Sequence, residues 1–153
     1  MYYSTTIGKA LGVPVDLVQV TAWLHDIGYY QDPENHRAVG ANAVENRLKV
    51  LGFPEKEISY IVDGVRNHGS KDTPETVIGH IIRLADALAT WDPQYISFYL
   101  PVSSANEIEK YSSMLEKKEH VIKEYMARWD FVRGLFSKMK EKTLKVISIA
   151  KEI

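Results

Sequence analysis

The segment Leu24-His25-Asp26-Ile27-Gly28 sets an imidazole beside a carboxylate at the carboxyl end of an apolar stretch. Burial is expected there, and a buried carboxylate is costly unless a charged or donating group meets it. A His and an Asp adjacent at a helix end can both turn to one cation. Imidazole nitrogen with carboxylate oxygen suits a first-row divalent metal better than calcium. A second carboxylate in the same predicament is Asp86, flanked by Leu84, Ala85, Ala87 and Leu88. Taken singly, an Asp in an apolar helix more often meets an Arg or a backbone group, and a His is more often hydrogen-bonded core. The two positions support each other because neither has an alternative partner close by in sequence.

Composition narrows the chemistry. The 153 residues include no cysteine, which excludes disulfides, thiolate metal sites, iron–sulfur clusters and cysteine nucleophiles. Any metal must therefore be held by imidazole and carboxylate. The chain is 45% hydrophobic and 25% charged, the balance of a soluble globular domain. No apolar run approaches the length of a membrane span, and the opening MYYSTTIGKA lacks the cationic and apolar regions of a secretory signal. A cytoplasmic location and no membrane partner are the expectation. The formal net charge of −1 gives no general attraction to nucleic acid. The charge is uneven: residues 1–104 carry an excess of acidic side chains and residues 105–153 an excess of basic ones. Glu residues interleave with that basic excess, so a solvated face is expected rather than a nucleic-acid surface.

The elements that must position these groups read as helices throughout, and the expected class is all-α. Val15 to His25 carries apolar residues at helical spacing, with Pro14 in the first turn and Gly28 as the stop. A loop through Tyr30–Glu34 follows. Asn35 is the expected N-cap of a helix that runs to Gly52, and Pro54 starts another that ends by His68-Gly69. Thr73-Pro74-Glu75 reads as the capped start of a helix through about Thr90, broken by Asp92-Pro93. Ser104 with Glu107 forms a capping-box pair. Beyond it apolar residues recur from Ile108 through Tyr111, Leu115, Ile122, Tyr125, Trp129, Val132, Phe136, Met139, Val146 and Ala150, with Lys118 and Thr143 as exceptions. A single helix of this span would be on the order of 70 Å long at 1.5 Å per residue, too long for a compact domain. A break between Ala127 and Gly134 into an antiparallel pair is expected, the other arrangement being a projecting helix that pairs with a second subunit. His80 lies six residues before Asp86, not a facing spacing, and reads as structural. His120 reads as surface.

Ala22-Trp-Leu-His-Asp-Ile-Gly together with Ala85-Asp-Ala-Leu resembles the HD-domain superfamily of metal-dependent phosphohydrolases. The resemblance covers roughly Ser4 to Leu100, leaving 101–153 as C-terminal helices that pack on a core of residues 1–100 or on a second subunit. It implies a compact helical bundle, one domain over 1–153, in which His25, Asp26 and Asp86 coordinate a divalent ion. Manganese, iron, cobalt, nickel, zinc and magnesium are all open. The family often places further histidines after the HD loop and at the end of the helix before the second Asp, which here are His36 and His68. The implied roles are as follows: Asp26 holds the attacking water or bridges two ions, while His36 and His68 bind a second ion, position phosphate or protonate the leaving oxygen. His68 and Asp26 are thus the candidate catalytic residues. Arg37 and Arg66 are candidates for phosphate contact, since Arg suits bidentate recognition. The implied substrate is a small phosphorylated molecule, with nucleotides among the candidates, and a homodimer is compatible with the C-terminal helices.

The family pattern opens with a further His, one helix ahead of the HD pair, and this chain has none before His25. By the spacing of the first helix that ligand would fall at or just ahead of Met1. Tyr2-Tyr-Ser-Thr-Thr-Ile reads as an interrupted helix start, which favours a chain that begins late over a site that lacks the ligand. Two functions therefore stand open: a phosphohydrolase, and a catalytically impaired binding or regulatory module on the same scaffold.

Overall fold

A computed structural model describes residues 1–99 and 105–152. The described residues form helices α1 (Tyr2–Ala10), α2 (Val15–Leu24), α3 (His36–Val50), α4 (Glu55–Arg66), α5 (Val77–Thr90), α6 (Pro93–Tyr99), α7 (Ala105–Arg128) and α8 (Asp130–Glu152). There is no strand among them, and the fold is all-α as the pattern predicts. No helix among the described residues is long and apolar enough to cross a membrane. The chain divides into two compact units, Met1–Asp86 and Ala87–Ile153.

In the first unit, Ala41, Val44 and Leu48 of α3 bury against Ile58, Ile61 and Val65 of α4. Leu17, Val20 and Leu24 of α2 close over this pair. Fully burying each such side chain contributes roughly 1.5–3 kcal/mol, so these three helices form a firm floor beneath the residues at their ends. α3 stops where expected, at Gly52 with φ 76°, a left-handed position that glycine takes without a Cβ penalty.

Asn35 is the N-cap residue of α3 as predicted, and the start of α5 is corrected. Asn35 precedes α3 but makes no side-chain cap; instead its amide and its backbone N–H both donate to Asp32. The start of α5 is Val77, not the Thr73 turn, because the carboxylate of Asp63 on α4 gathers the preceding segment. Asp63 accepts from the N–H of Glu75 and from the N–H and hydroxyl of Thr76. The Thr76 hydroxyl oxygen in turn accepts from the N–H of Gly79 at 3.0 Å, the N-cap geometry.

In the second unit the long C-terminal pattern breaks at Trp129, inside the predicted window. The Trp129 carbonyl accepts from the N–H of Val132 and opens α8, and its ring stacks on Tyr125. α7 and α8 then pack on each other, with Lys140 reaching back to Glu119 at 2.7 Å. Thr143, an exception in the apolar stripe, is buried because its hydroxyl donates to the carbonyl of Trp91. Beyond it the buried face continues through Ile147 rather than Val146. Pro93 begins the short α6, which the pattern did not predict, and Asp92 accepts from the N–H of Gln94 at its start. Ser104 and the 100/101 boundary lie outside the described residues, as does the side chain of Ala150.

Candidate metal centre

α2 ends at Leu24, and residues 25–31 continue as a run of turns that delivers His25 and Asp26 to the end of the bundle. That run is pinned to α3 by glycine. A Cβ on Gly28 would stand 2.2 Å from the carbonyl oxygen of His36 and 2.6 Å from the nitrogen of Gly40, so only a bare Cα lets the two backbones approach this closely. His36 opens α3, and His68 follows the last turn of α4. Three separate chain segments thereby converge on Asp26.

The convergence is through specific atoms. His25 Nε2 lies 3.2 Å from Asp26 Oδ2, while His36 Nε2 and His68 Nε2 lie 3.5 Å and 3.3 Å from Oδ1. The His68 ring packs near both others, with centroid separations of 5.1 Å to His25 and 5.6 Å to His36. Tyr29, exposed, sets its ring edge-on to His36. His68 is buried, whereas the Asp26 side chain is 52% exposed, so the centre is open to small molecules.

The three histidines share one device. Each Nδ1 lies 2.8–2.9 Å from the backbone carbonyl three residues earlier: Ala22 for His25, Pro33 for His36 and Val65 for His68. A carbonyl only accepts, so Nδ1 carries the hydrogen and Nε2 is left as the free ring nitrogen. In the neutral rings, three Nε2 lone pairs then face a carboxylate, an arrangement of acceptors that requires a cation among them. The cation is either protons on the rings or a metal ion. The same Nδ1–H to carbonyl bond is how metal-binding histidines are commonly oriented.

The electrostatics agree. Hydrogen bonds from His25 and then His68, with their charges, hold the Asp26 carboxyl far below the usual carboxylate range despite its partial burial. Burial pulls the His25 imidazole down, but the hydrogen bond and charge of Asp26, the Ala22 carbonyl and the charge of Asp86 together raise it.

Among the described residues, Asp26, His36 and His68 form a group whose donor atoms all lie within 4.8 Å of one another. This is one carboxylate and two of the histidines that the sequence assigned to substrate or a second ion. His25 adjoins the group through Asp26 Oδ2. Asp86, half-buried on α5, makes its charge felt at His25 and is outside the three-residue group. Arg37 follows His36 and pairs with Asp72, its Nε 3.3 Å from Oδ2. Arg66 is exposed and donates to Asn42 of α3 at 3.0 Å, so the structure gives it a partner other than the centre. His120 is on the surface of α7, 77% exposed, as expected.

Two residues near the centre escaped the sequence reading. Arg83 is buried and donates to the carbonyls of Gly69 and Ser70, in the loop after His68. Asp72 accepts from the N–H of Gly69 at 2.8 Å. The available signal for Arg83 was its place one turn before Asp86 on a strongly apolar helix; a loop aspartate such as Asp72 gave none.

A family model described as HD domain matches residues 1–91. No curated protein and no solved structure matches the chain.

Proposed function

The chain belongs to the HD-domain family, and from that premise we propose that it is a metal-dependent phosphohydrolase acting on a small phosphate ester, nucleotides included. The observation that carries the proposal is the turning of three imidazole Nε2 atoms, each with its Nδ1 hydrogen already engaged, onto the one carboxylate of Asp26. The donor set fits a first-row divalent ion: borderline nitrogen, hard oxygen and no sulfur. Asp26, His36 and His68 would hold it. His25, which faces the other oxygen of the same carboxylate, and Asp86 would be the residues to hold a second ion.

A bound divalent ion would supply positive charge to a phosphoryl oxygen and make nearby water a better nucleophile. The protein's own part is to hold and orient. The Nδ1–H bonds fix each ring, and the exposed edge of Asp26 leaves access for a phosphate and for water. Arg37, partly exposed beside His36, is the candidate for contact with a phosphoryl oxygen. His68, buried against the centre, would hold the ion through the same Nε2 that a proton transfer to the leaving oxygen would need, so of the two roles implied for it the proposal keeps the ligand. A cytoplasmic setting and a homodimer remain parts of the proposal.

The experiment is hydrolysis of p-nitrophenyl phosphate and of nucleoside monophosphates by metal-loaded protein, with Asp26→Ala as control. Phosphate release that needs both metal and Asp26 supports the reading. Metal binding without release from any ester would leave a binding or regulatory module.

A further inference from the structure

The loop that follows His68 is held on both sides of its first residue, Gly69. The N–H of Gly69 donates to Asp72 Oδ2 at 2.8 Å, and its carbonyl accepts from Arg83 Nε at 3.1 Å. Arg83 Nη2 extends the grip to the carbonyl of Ser70 at 2.8 Å. The same oxygen of Asp72 that takes the Gly69 N–H also lies 3.3 Å from Nε of Arg37. Arg37 and Gly69 are the residues immediately after His36 and His68. One carboxylate oxygen therefore ties together the chain segments that present two of the three grouped donors.

The packing is tight enough to make this tie specific. A Cβ on Gly69 would stand 2.1 Å from Arg37 Nη1 and 2.5 Å from Asp72 Oδ2, so the guanidinium lies directly against the loop backbone. The carboxylate is 23% exposed and the guanidinium 40%. An ion pair this open to solvent adds little to the stability of the fold. Its effect on the fold is accordingly small, and its effect on where His36 and His68 sit relative to each other is the larger consequence.

We infer that Asp72 is a positioning residue for the metal centre, locking His36 and His68 into register through Arg37 on one side and Gly69 on the other. The inference rests on the metal-centre reading above. It assigns Asp72 no contact with metal or substrate. Loss of a group hydrogen-bonded to a ligand typically lowers metal affinity by about 10–100-fold; Asp72 reaches the donors only through the residues beside them, so its loss should fall toward the smaller end of that range.

The test is titration of metal-free protein with Co(II), followed by absorption, in wild type, Asp72→Ala, Asp72→Asn, Arg37→Ala and the Asp72→Ala/Arg37→Ala pair, beside thermal melting of each metal-free protein. Asp72→Ala should bind Co(II) about 10-fold more weakly with a nearly unchanged metal-free melt. Asp72→Asn, which keeps an acceptor for Gly69, should recover part of the loss. The double variant should bind no more weakly than the worse single one, because both act through one tie. Unchanged affinity in Asp72→Ala, or losses that simply add, would overturn the inference while leaving the metal centre standing. If Asp72→Ala does not fold, Asp72→Asn and Arg37→Ala carry the comparison, and full Co(II) affinity in both overturns it. No Co(II) binding by wild type would remove the metal-centre reading and this inference together.

Discussion

His68 Nε2 stands 3.3 Å from Asp26 Oδ1, a contact that closes over the whole of α3 and α4 in the chain. The two residues meet because α2 and α4 share a core and end on the same side, and because the turn after α2 is pressed against α3 at Gly28. The centre is thus a product of helix ends, each set by packing well away from it. Changes to that packing should be felt at the centre, and changes in the centre should be felt little by the packing.

Gly28→Ala tests the first half of that statement. The added methyl meets backbone on α3 at under 3 Å on two sides, and backbone cannot swing aside as a side chain can. Overpacking of this kind costs about 1–3 kcal/mol. The variant is expected to melt earlier in urea and to bind Co(II) more weakly than wild type, since His36 is displaced along with its carbonyl.

His36→Ala and His68→Ala test the second half. Each removes a ring at the end of the bundle, outside the α3–α4 core cluster. Each should weaken Co(II) binding by more than the roughly 10–100-fold typical of an outer-shell residue. His36→Ala should keep a wild-type urea midpoint in the metal-free state, whereas buried His68→Ala should lose some stability to the cavity it leaves.

Asp63 gives a contrasting case. Its carboxylate accepts from Asn67, Glu75 and Thr76 and thereby starts α5. Hydrogen bonds to a charged group contribute about 1.5–3 kcal/mol each, and they are not additive. Asp63→Ala is expected to lower unfolding free energy on the order of 3 kcal/mol, read from urea melts. It is the substitution most expected to cost stability without touching a donor of the centre.

Much of this was legible in the sequence, and the reason for each success and failure is physical. The helical class, the break near Trp129 and the stop at Gly52 follow from apolar periodicity and local backbone preference, which act over a few residues. His25, Asp26, His36 and His68 stood out by residue type and position. Their grouping did not, because which rings reach Asp26 depends on the 25–35 turn and on the Gly28–Gly40 approach. The resemblance implies His25, Asp26 and Asp86 as one ligand set; the structure adds that Asp26 also groups tightly with His36 and His68. The same limit hid Asp63 and Asp72. Each is an ordinary acidic residue in sequence, and its partners lie on another element or in a loop. α6 is a different case: Asp92-Pro93 reads as a break, yet Asp before Pro also suits an N-cap and first helical position, which is how the structure uses it.

Acid should act on the second unit through Glu119. Partial burial pushes its carboxyl up, but hydrogen bonds and charge from Lys140 and Lys123 outweigh this and hold it below the ordinary glutamate value. A carboxyl lowered in the folded state stabilises above its unfolded pKa, and that contribution is lost as pH falls through the folded value. Metal-free Glu119→Gln should therefore be less stable than wild type at pH 7, by no more than about 1 kcal/mol for a pair this accessible. The gap should close as the pH falls below the ordinary glutamate value and through the lowered folded one. Urea melts at pH 7 and along that descent check it.

The carboxylate of Asp26 with the Nε2 atoms of His36 and His68 makes the proposed site for a divalent ion, and His25 adjoins it through the other carboxylate oxygen. The most direct measurement is metal content by elemental analysis of protein purified without chelator, then stripped and titrated with Co(II), with Asp26→Ala alongside. Near-stoichiometric metal is expected in wild type, with a Co(II) spectrum carrying nitrogen and oxygen ligation, and neither in Asp26→Ala. Wild-type protein that is metal-free as purified and takes up no Co(II), manganese or zinc when these are supplied would contradict it. The converging rings would then be held by protons alone.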